Sequence, residues 1–299
     1  MLAVDLIGVP FDGWGRRGAQ ARAAAALREA GLGQAFDGRR VEQRPGFDLP
    51  EPTPERAAAS GMMNEAALLA MVDAVESGVA DALSAGRFPL VYGADCTVLL
   101  GIVPALREAV GQAGLLFLDG HEDTTSLDSS LDGEAANMEV GLLLGLTGQL
   151  APDALRSRLP ALSEGSLAML GMRDERLRRE LNVASLADRG VLLHDHEETA
   201  ADPAGRAREA VAHLPPQWWL HTDLDVLSQS ELGAQRVPGD VDEEGGLTWP
   251  QLTETVVAAL EAGGCRGWSL TIYDPDQDPD GTEARRIVQF VAEVAPALP

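Results

Sequence analysis

The chain has 299 residues, 45% of them hydrophobic, and its 23 basic side chains are outnumbered by 47 acidic ones, for a formal net charge of −24. That is enough chain for a large core in one domain spanning 1–299, and the negative field opposes partnership with nucleic acid or an anionic membrane surface. No apolar stretch approaches the ~20 residues of a transmembrane helix, the N-terminus enters a strand-like run without a basic leader, and Cys96 and Cys265 alone make no disulfide framework, so a cytoplasmic protein is expected.

Short apolar runs alternate with longer segments of helical period, the pattern of a mostly parallel sheet with covering helices. In chain order, a strand is expected at 2–8, then a helix rich in Ala and Leu at 21–30. Residues 44–56, with several Pro and Glu, read as a surface loop. A long helix at 64–85 leads to a strand at 88–92, a helix at 103–110 and a strand at 114–118. Further strands are expected at 167–171, 190–194 and 217–222. Residues 228–246, with glycines and acids, form a longer loop near an acidic motif. Helices at 251–262 and 283–294 flank a last strand at 267–272. No repeat of fixed period and no interdomain linker interrupts this alternation.

Two of the strands end in ligand-type residues. The run Gly114-Leu115-Leu116-Phe117-Leu118 is followed by Asp119-Gly120-His121-Glu122-Asp123, and Gln217-Trp218-Trp219-Leu220 leads to Asp223-Leu224-Asp225. Function collects at the carboxyl ends of strands in an open parallel sheet. If the chain stays extended, residues at spacing two point the same way, so each strand end would present its ligands to one centre. Side by side, these ends would gather carboxylates and an imidazole that a protein interior tolerates poorly without cations. A dinuclear metal site is therefore the leading reading, and carboxylate with imidazole suits Mn²⁺ while Zn²⁺ and Fe²⁺ also accept such a set.

Four segments in order resemble the arginase and agmatinase family, the ureohydrolases. The first is Ile7-Gly8-Val9-Pro10-Phe11-Asp12 with Arg17-Gly18-Ala19. The second is Tyr92-Gly93-Ala94-Asp95-Cys96-Thr97, similar to the family's Gly-Gly-Asp-His-Ser, and the last two are the motifs at 119–123 and 223–225. Gly245-Gly246-Leu247-Thr248 and Tyr273-Asp274-Pro275 are similar to further family landmarks. The resemblance implies an α/β three-layer sandwich with a mostly parallel, eight-stranded sheet, and a homo-oligomer, trimer or hexamer. It implies two Mn²⁺ ions bridged by Asp119 and Asp223, one also held by His121 and Asp225, the other by Asp123 and the residue at Cys96. The reaction implied is hydrolysis of a linear C–N bond of a small molecule by a metal-bridging hydroxide, which Asp123 would orient.

Several positions depart from the family pattern. Cys96 stands where a histidine ligand is usual, and a thiolate would favour Zn²⁺ or Fe²⁺. In Gly133-Glu134-Ala135-Ala136-Asn137-Met138-Glu139, Ala136 takes the place of a proton-shuttling histidine, leaving Glu134 or Glu139 as substitutes; by residue type alone both are expected to be solvated or capping residues. Ile272 replaces the glutamate that holds a guanidinium, so the bidentate partner of a planar cation is missing. In Arg173-Asp174-Glu175-Arg176, similar to a segment that binds an amino group, Arg176 replaces an acid. These departures point to a guanidino, hydroxyguanidino or amide-like substrate other than arginine or agmatine, with a catalytically weak or non-catalytic member as the alternative.

Other residues read as structural. His194 and His196 straddle Asp195 but follow an apolar strand with no ligand match. Trp218 and Trp219 read as core. His221, two residues before Asp223, is expected to give a hydrogen bond behind the metal ligands, and the acids from Asp274 to Asp280 lack the spacing of a calcium loop.

Overall fold

The computed structural model describes residues 1–127, 130, 132–235 and 244–299. Eight strands form one sheet: β1 (Val4–Gly8), β2 (Val41–Gln43), β3 (Phe88–Tyr92), β4 (Gly114–Leu118), β5 (Leu167–Met172), β6 (Leu192–Asp195), β7 (Trp218–Asp223) and β8 (Cys265–Thr271). Their spatial order is β2-β1-β3-β8-β7-β4-β5-β6, and every pairing is parallel. The eight-stranded parallel α/β sheet expected above is thus the fold. Seven strands coincide with the apolar runs to within a few residues. β2 was missed because it is three residues long, half-exposed and at the sheet edge, where Glu42 and Gln43 face outward and leave no apolar alternation.

Ten helices accompany the sheet: α1 (Ala23–Glu29), α2 (Glu65–Ser84), α3 (Leu99–Val110), α4 (Glu139–Leu143), α5 (Asp153–Arg156), α6 (Glu175–Glu180), α7 (His196–Ala201), α8 (Pro203–His213), α9 (Trp249–Glu261) and α10 (Thr282–Val294), among the described residues. α3 begins four residues before its expected start at Val103. Its first turns are buried all round, from Leu99 to Leu106, so no polar face marks the period there. Of the expected loop at 228–246, residues 236–243 lie outside the described residues.

Alternation along the strands feeds two cores, one on each face of the sheet. On β4, Leu116 and Leu118 join α1, α8, α9 and α10 through Leu27, Ala210, Leu252 and Phe290. Leu115 and Phe117 point the other way, to α2 and α3 through Met71, Val75 and Ile102. The result is a helix–sheet–helix sandwich. α2 buries Leu68, Met71, Val72, Val75 and Val79, one stripe at helical spacing, and α3 approaches it closely at Gly101.

Pairing register sets the height of the strand ends. Tyr92 pairs with Leu270, Leu270 with Thr222, and Thr222 with Leu118. The residues that follow on β3, β8, β7 and β4 therefore emerge at one level across the middle of the sheet, and these four strands carry the motifs read from the sequence.

A Cβ at Gly101 would lie 2.6 Å from the Val72 carbonyl oxygen and 3.0 Å from the Glu76 nitrogen. Gly101→Val should therefore destabilise the protein by about 1–3 kcal/mol through forced separation of α2 and α3, read from urea unfolding. Gly165→Ala, where no atom lies within 4 Å, is the control; equal midpoints for the two variants would refute the close approach.

Candidate metal centre

Asp119 and Asp223 are each the first residue of a tight turn. Asp119 Oδ1 accepts from the His121 nitrogen at 2.7 Å, and Asp223 Oδ1 accepts from the Asp225 nitrogen at 2.7 Å. This use of an Asp side chain to cap the backbone two residues on explains the spacing of both motifs. It also corrects the extended-chain expectation: β4 ends at Leu118 and the chain bends at Gly120 and His121. With one oxygen occupied, the Oδ2 atoms of both aspartates turn to the centre, where Cys96 Sγ lies 2.6 Å from Asp223 Oδ2 and 3.9 Å from Asp119 Oδ2.

Three groups of ligand atoms meet there, each within 4.8 Å internally: Cys96, Asp119, His221 and Asp223; Cys96, Asp123 and Glu139; and Asp119, His121 and Asp225. The bend sends the first motif to two sides. His121 Nδ1 lies 3.1 Å from Asp225 Oδ2 and 3.4 Å from Asp119 Oδ1, whereas Asp123, with φ of 45°, turns toward Cys96 and Glu139. Glu122, between them, points away and ties the loop down: it accepts from Ser185 Oγ at 2.7 Å and the Leu186 nitrogen at 2.6 Å, and pairs with Arg178 at 3.0 Å.

The six residues read as ligands, Cys96, Asp119, His121, Asp123, Asp223 and Asp225, thus meet at one place, joined by Glu139. Glu134 does not join them. It lies with Asp95 against Gly13, where an added Cβ would sit 2.7 Å from Asp95 Oδ2 and 2.9 Å from Glu134 Oε1. Both glutamates are buried, which corrects the expectation of solvated or capping residues; a lone Glu in an irregular segment carries no pattern that would have signalled this. His221 is also closer than expected. Its Nε2 is 3.3 Å from Cys96 Sγ, and its Nδ1 is 2.7 Å from Ser269 Oγ. His194 is held between Glu198 and Glu209 at 3.2 and 3.1 Å, a structural role, and Trp218 and Trp219 are core.

Charge is poorly compensated at the centre. Burial and then Asp225 push Asp119 well above the ordinary carboxylate range; burial and Glu139 do the same to Asp123, and burial and Asp225 to Asp223. Burial and Asp223 raise the Cys96 thiol. Asp225 differs: burial would raise it, but the His121 ring and Arg173 hold it well below its usual value. Glu139 is raised by burial, and among the described residues its oxygens meet no well-aligned donor, their near neighbour being the Asp123 carboxyl. A fully buried carboxylate without a donor costs several kcal/mol or more and is relieved by a proton or a cation. The donor set, mainly carboxylate oxygen with imidazole and one sulfur, suits divalent ions, so these residues fit a metal centre.

The Arginase family model matches residues 2–296. The chain belongs to the arginase family. Arginase from Bacillus caldovelox is 25% identical over 272 residues, covering 86% of this chain and 88% of that protein. The native structure of the same enzyme at pH 5.6 superposes with a TM-score of 0.81 at 22% identity, covering 99% of this chain and 98% of that one. Proclavaminate amidino hydrolase from Streptomyces clavuligerus shares the fold at a TM-score of 0.70 and 19% identity, covering 99% and 92%. Within this arginase-family fold, the ends of β3 and β8 carry unusual backbone. Ala94 and Ile272 have φ of 59° and 61°, and the Ile272 nitrogen donates to the Ala94 carbonyl at 3.1 Å. A β-branched residue in the left-handed region is strained, and such strain concentrates at functional sites.

The raised carboxyls predict a pH dependence. Asp95, lifted to about 6 by burial, and the raised acids of the centre bind protons more tightly folded than unfolded. Their contribution to stability is present at low pH and lost as pH rises through their folded values. His221, held down to about 3 by burial, opposes this only below its unfolded value of about 6.5. Chelator-treated protein should therefore show a Tm that rises as pH is lowered from about 6 to about 4.5, the raised acids outnumbering His221; a flat or falling Tm over that window would mean the acids titrate normally.

Proposed function

We propose that the chain is a two-metal hydrolase of a small molecule with a linear C–N bond, of guanidino, hydroxyguanidino or amide-like kind. The convergence of Asp119, Asp123, Asp223 and Asp225 with His121 and Cys96 at three central strand ends carries this reading. Asp119 and Asp223 would lie between the ions, His121 and Asp225 holding one, Cys96 and Asp123 the other. Mn²⁺ suits the oxygen-rich side, and Zn²⁺ or Fe²⁺ the side of Cys96. Two bound divalent ions would supply hydroxide near neutral pH and polarise a trigonal carbon.

The chain's own groups would handle the protons. Asp123, facing the centre, would accept a hydrogen bond from the attacking oxygen and orient it. Glu139, raised by burial and set beside Asp123, is better placed than Glu134 to carry a proton to the leaving nitrogen. Glu134, paired with Asp95 at Gly13, would act on the loop behind the centre. Ile272 is buried at the end of β8 and offers no carboxylate to a guanidinium. That supports a substrate other than arginine or agmatine.

Elemental analysis after reconstitution should find about two ions per chain, with most of the metal lost in Asp223→Ala; no uptake from Mn²⁺, Zn²⁺ or Fe²⁺ would reject the centre. Once a panel of guanidino, hydroxyguanidino and amide compounds identifies a substrate, Glu139→Gln should lower kcat by about 10²–10⁴-fold with little change in KM, and Glu134→Gln should lower it less. The reverse order would transfer the proton role to Glu134. Urea release from arginine or agmatine at ~10 s⁻¹ would contradict the reading of Ile272.

A further inference from the structure

His221 belongs to β7 and pairs across the sheet with Phe117 on β4 and Ser269 on β8. Its ring is fully buried and stacks on Phe117 with centroids 5.1 Å apart and planes inclined by 18°. The contacts around Ser269 admit a tautomer with the proton on Nδ1. Trp219 Nε1 can only donate, and it donates to Ser269 Oγ at 3.0 Å. The serine hydroxyl has the Leu220 carbonyl as an acceptor at 3.5 Å. The remaining lone pair of Ser269 is placed to receive a proton from His221 Nδ1, at 2.7 Å. In that tautomer Nε2 is free of hydrogen and faces Cys96 Sγ, 3.3 Å away. A ring held at one nitrogen by a hydroxyl, with the other facing ligand atoms, is how a metal-binding histidine is prepared.

We propose that His221 is itself a metal ligand, forming with Cys96, Asp119 and Asp223 a sulfur–nitrogen–oxygen subsite that prefers Zn²⁺ to Mn²⁺. The inference rests on the reading of the cluster as a two-metal centre, and it adds a ligand to that centre. The separations fit. Zn–S and Zn–N bonds of about 2.3 and 2.0 Å at a tetrahedral angle put the two donor atoms about 3.5 Å apart, close to the 3.3 Å found between Sγ and Nε2. Asp119 and Asp223 each bring one oxygen to the same group, all within 4.8 Å. As the ion binds, the Cys96 thiol proton, which faces Asp223, leaves to solvent and the thiolate takes its place on the metal. Asp225 and His121, on the far side of Asp119, face no sulfur and form the harder subsite. The two positions thus differ in chemistry, and a mixed centre, with a zinc-type ion at Cys96 and His221 and a manganese-type ion at His121 and Asp225, follows from them.

X-ray absorption at the zinc edge tests this on full-length protein stripped of metal and given one equivalent of Zn²⁺. The expected spectrum has a sulfur scatterer at about 2.3 Å and an imidazole nitrogen at about 2.0 Å. Cys96→Ser should remove the sulfur shell and His221→Asn the imidazole pattern. Ser269→Ala, which frees the ring without touching the metal, should weaken the first equivalent by about tenfold, as outer partners of ligating histidines do. Cobalt loading gives a second reading that needs no variant: a sulfur-to-metal charge-transfer band in the near ultraviolet at the first equivalent. Bound zinc without an imidazole neighbour, or an imidazole pattern that survives in His221→Asn, would overturn the assignment of His221 and leave the two-metal reading standing; bound zinc without a sulfur neighbour would overturn the mixed subsite. Absence of bound metal in the unmodified protein would overturn both.

Discussion

Carboxylates crowded out of water at the middle of a parallel sheet set the terms for everything around them. Asp119, Asp223 and Glu139 are buried, Asp123 lies beside them, and burial with mutual repulsion outweighs the one imidazole that faces Asp119. Two like charges ~4 Å apart cost about 4 kcal/mol at an effective dielectric constant of ~20, comparable to a large part of a domain's net stability. Such an arrangement persists only if something offsets it. The surroundings supply little: Asp5 has Arg44 and Arg87, Asp12 has Arg16, and Glu122 has Arg178, so the arginines neutralise acids that support the frame. Within the centre, Asp225 alone, near Arg173 and His121, has its charge favoured. Asp119, Asp123, Asp223 and Glu139 are raised there with no arginine among the described residues to answer them, as expected where divalent ions complete the charge balance.

Topology makes the crowding unavoidable. Because β3, β8, β7 and β4 are neighbours and end at one level, whatever follows their last residues meets in space, although Cys96 and Asp223 are 127 positions apart. The turns then choose which atoms arrive. Asp119 and Asp223 each spend one oxygen on a backbone N–H two residues ahead, which fixes the other oxygen without a further side chain to hold it. A substitution by Asn could keep that cap and lose the inward charge, so capping and ligation are separable functions of one side chain.

How far residues alone predict this centre depends on the range of the interaction concerned. Strands buried on both faces announce themselves as apolar runs, and seven of them were found that way; β2, exposed at the edge, offers no such run. Acid motifs after β4 and β7 were evident because turn chemistry imposes spacing two, although the geometry is a cap and not an extended fan. Long-range relations left no local trace. Alternation along β7 shows that His221 shares a face with Trp219, but not that this face meets Cys96 from β3. Glu139 looks like any surface glutamate until α4 is packed and the residue is found buried beside Asp123 and Cys96. Burial of a single polar residue is decided by partners distant in the chain, and one sequence cannot show them.

The centre and its rim therefore carry different kinds of constraint. Asp119 and Asp223 are held by hydrogen bonds from backbone nitrogens, so the arrangement of the candidate centre is built into its turns. The rim is held by strain: Ile272 and Ala94 keep left-handed backbone at the ends of β8 and β3, joined by one N–H to carbonyl bond. An isoleucine in that conformation costs of order 1–3 kcal/mol, a penalty that glycine or asparagine would avoid. Its persistence means the surrounding strands impose the conformation, and an apolar side chain is thereby fixed at the edge of a charged pocket. Under the function proposed above, a bulky hydrocarbon in that place would discriminate by shape and by withholding a counter-charge from a planar cation. The backbone would then keep the chemistry while one strained side chain shifts the selectivity.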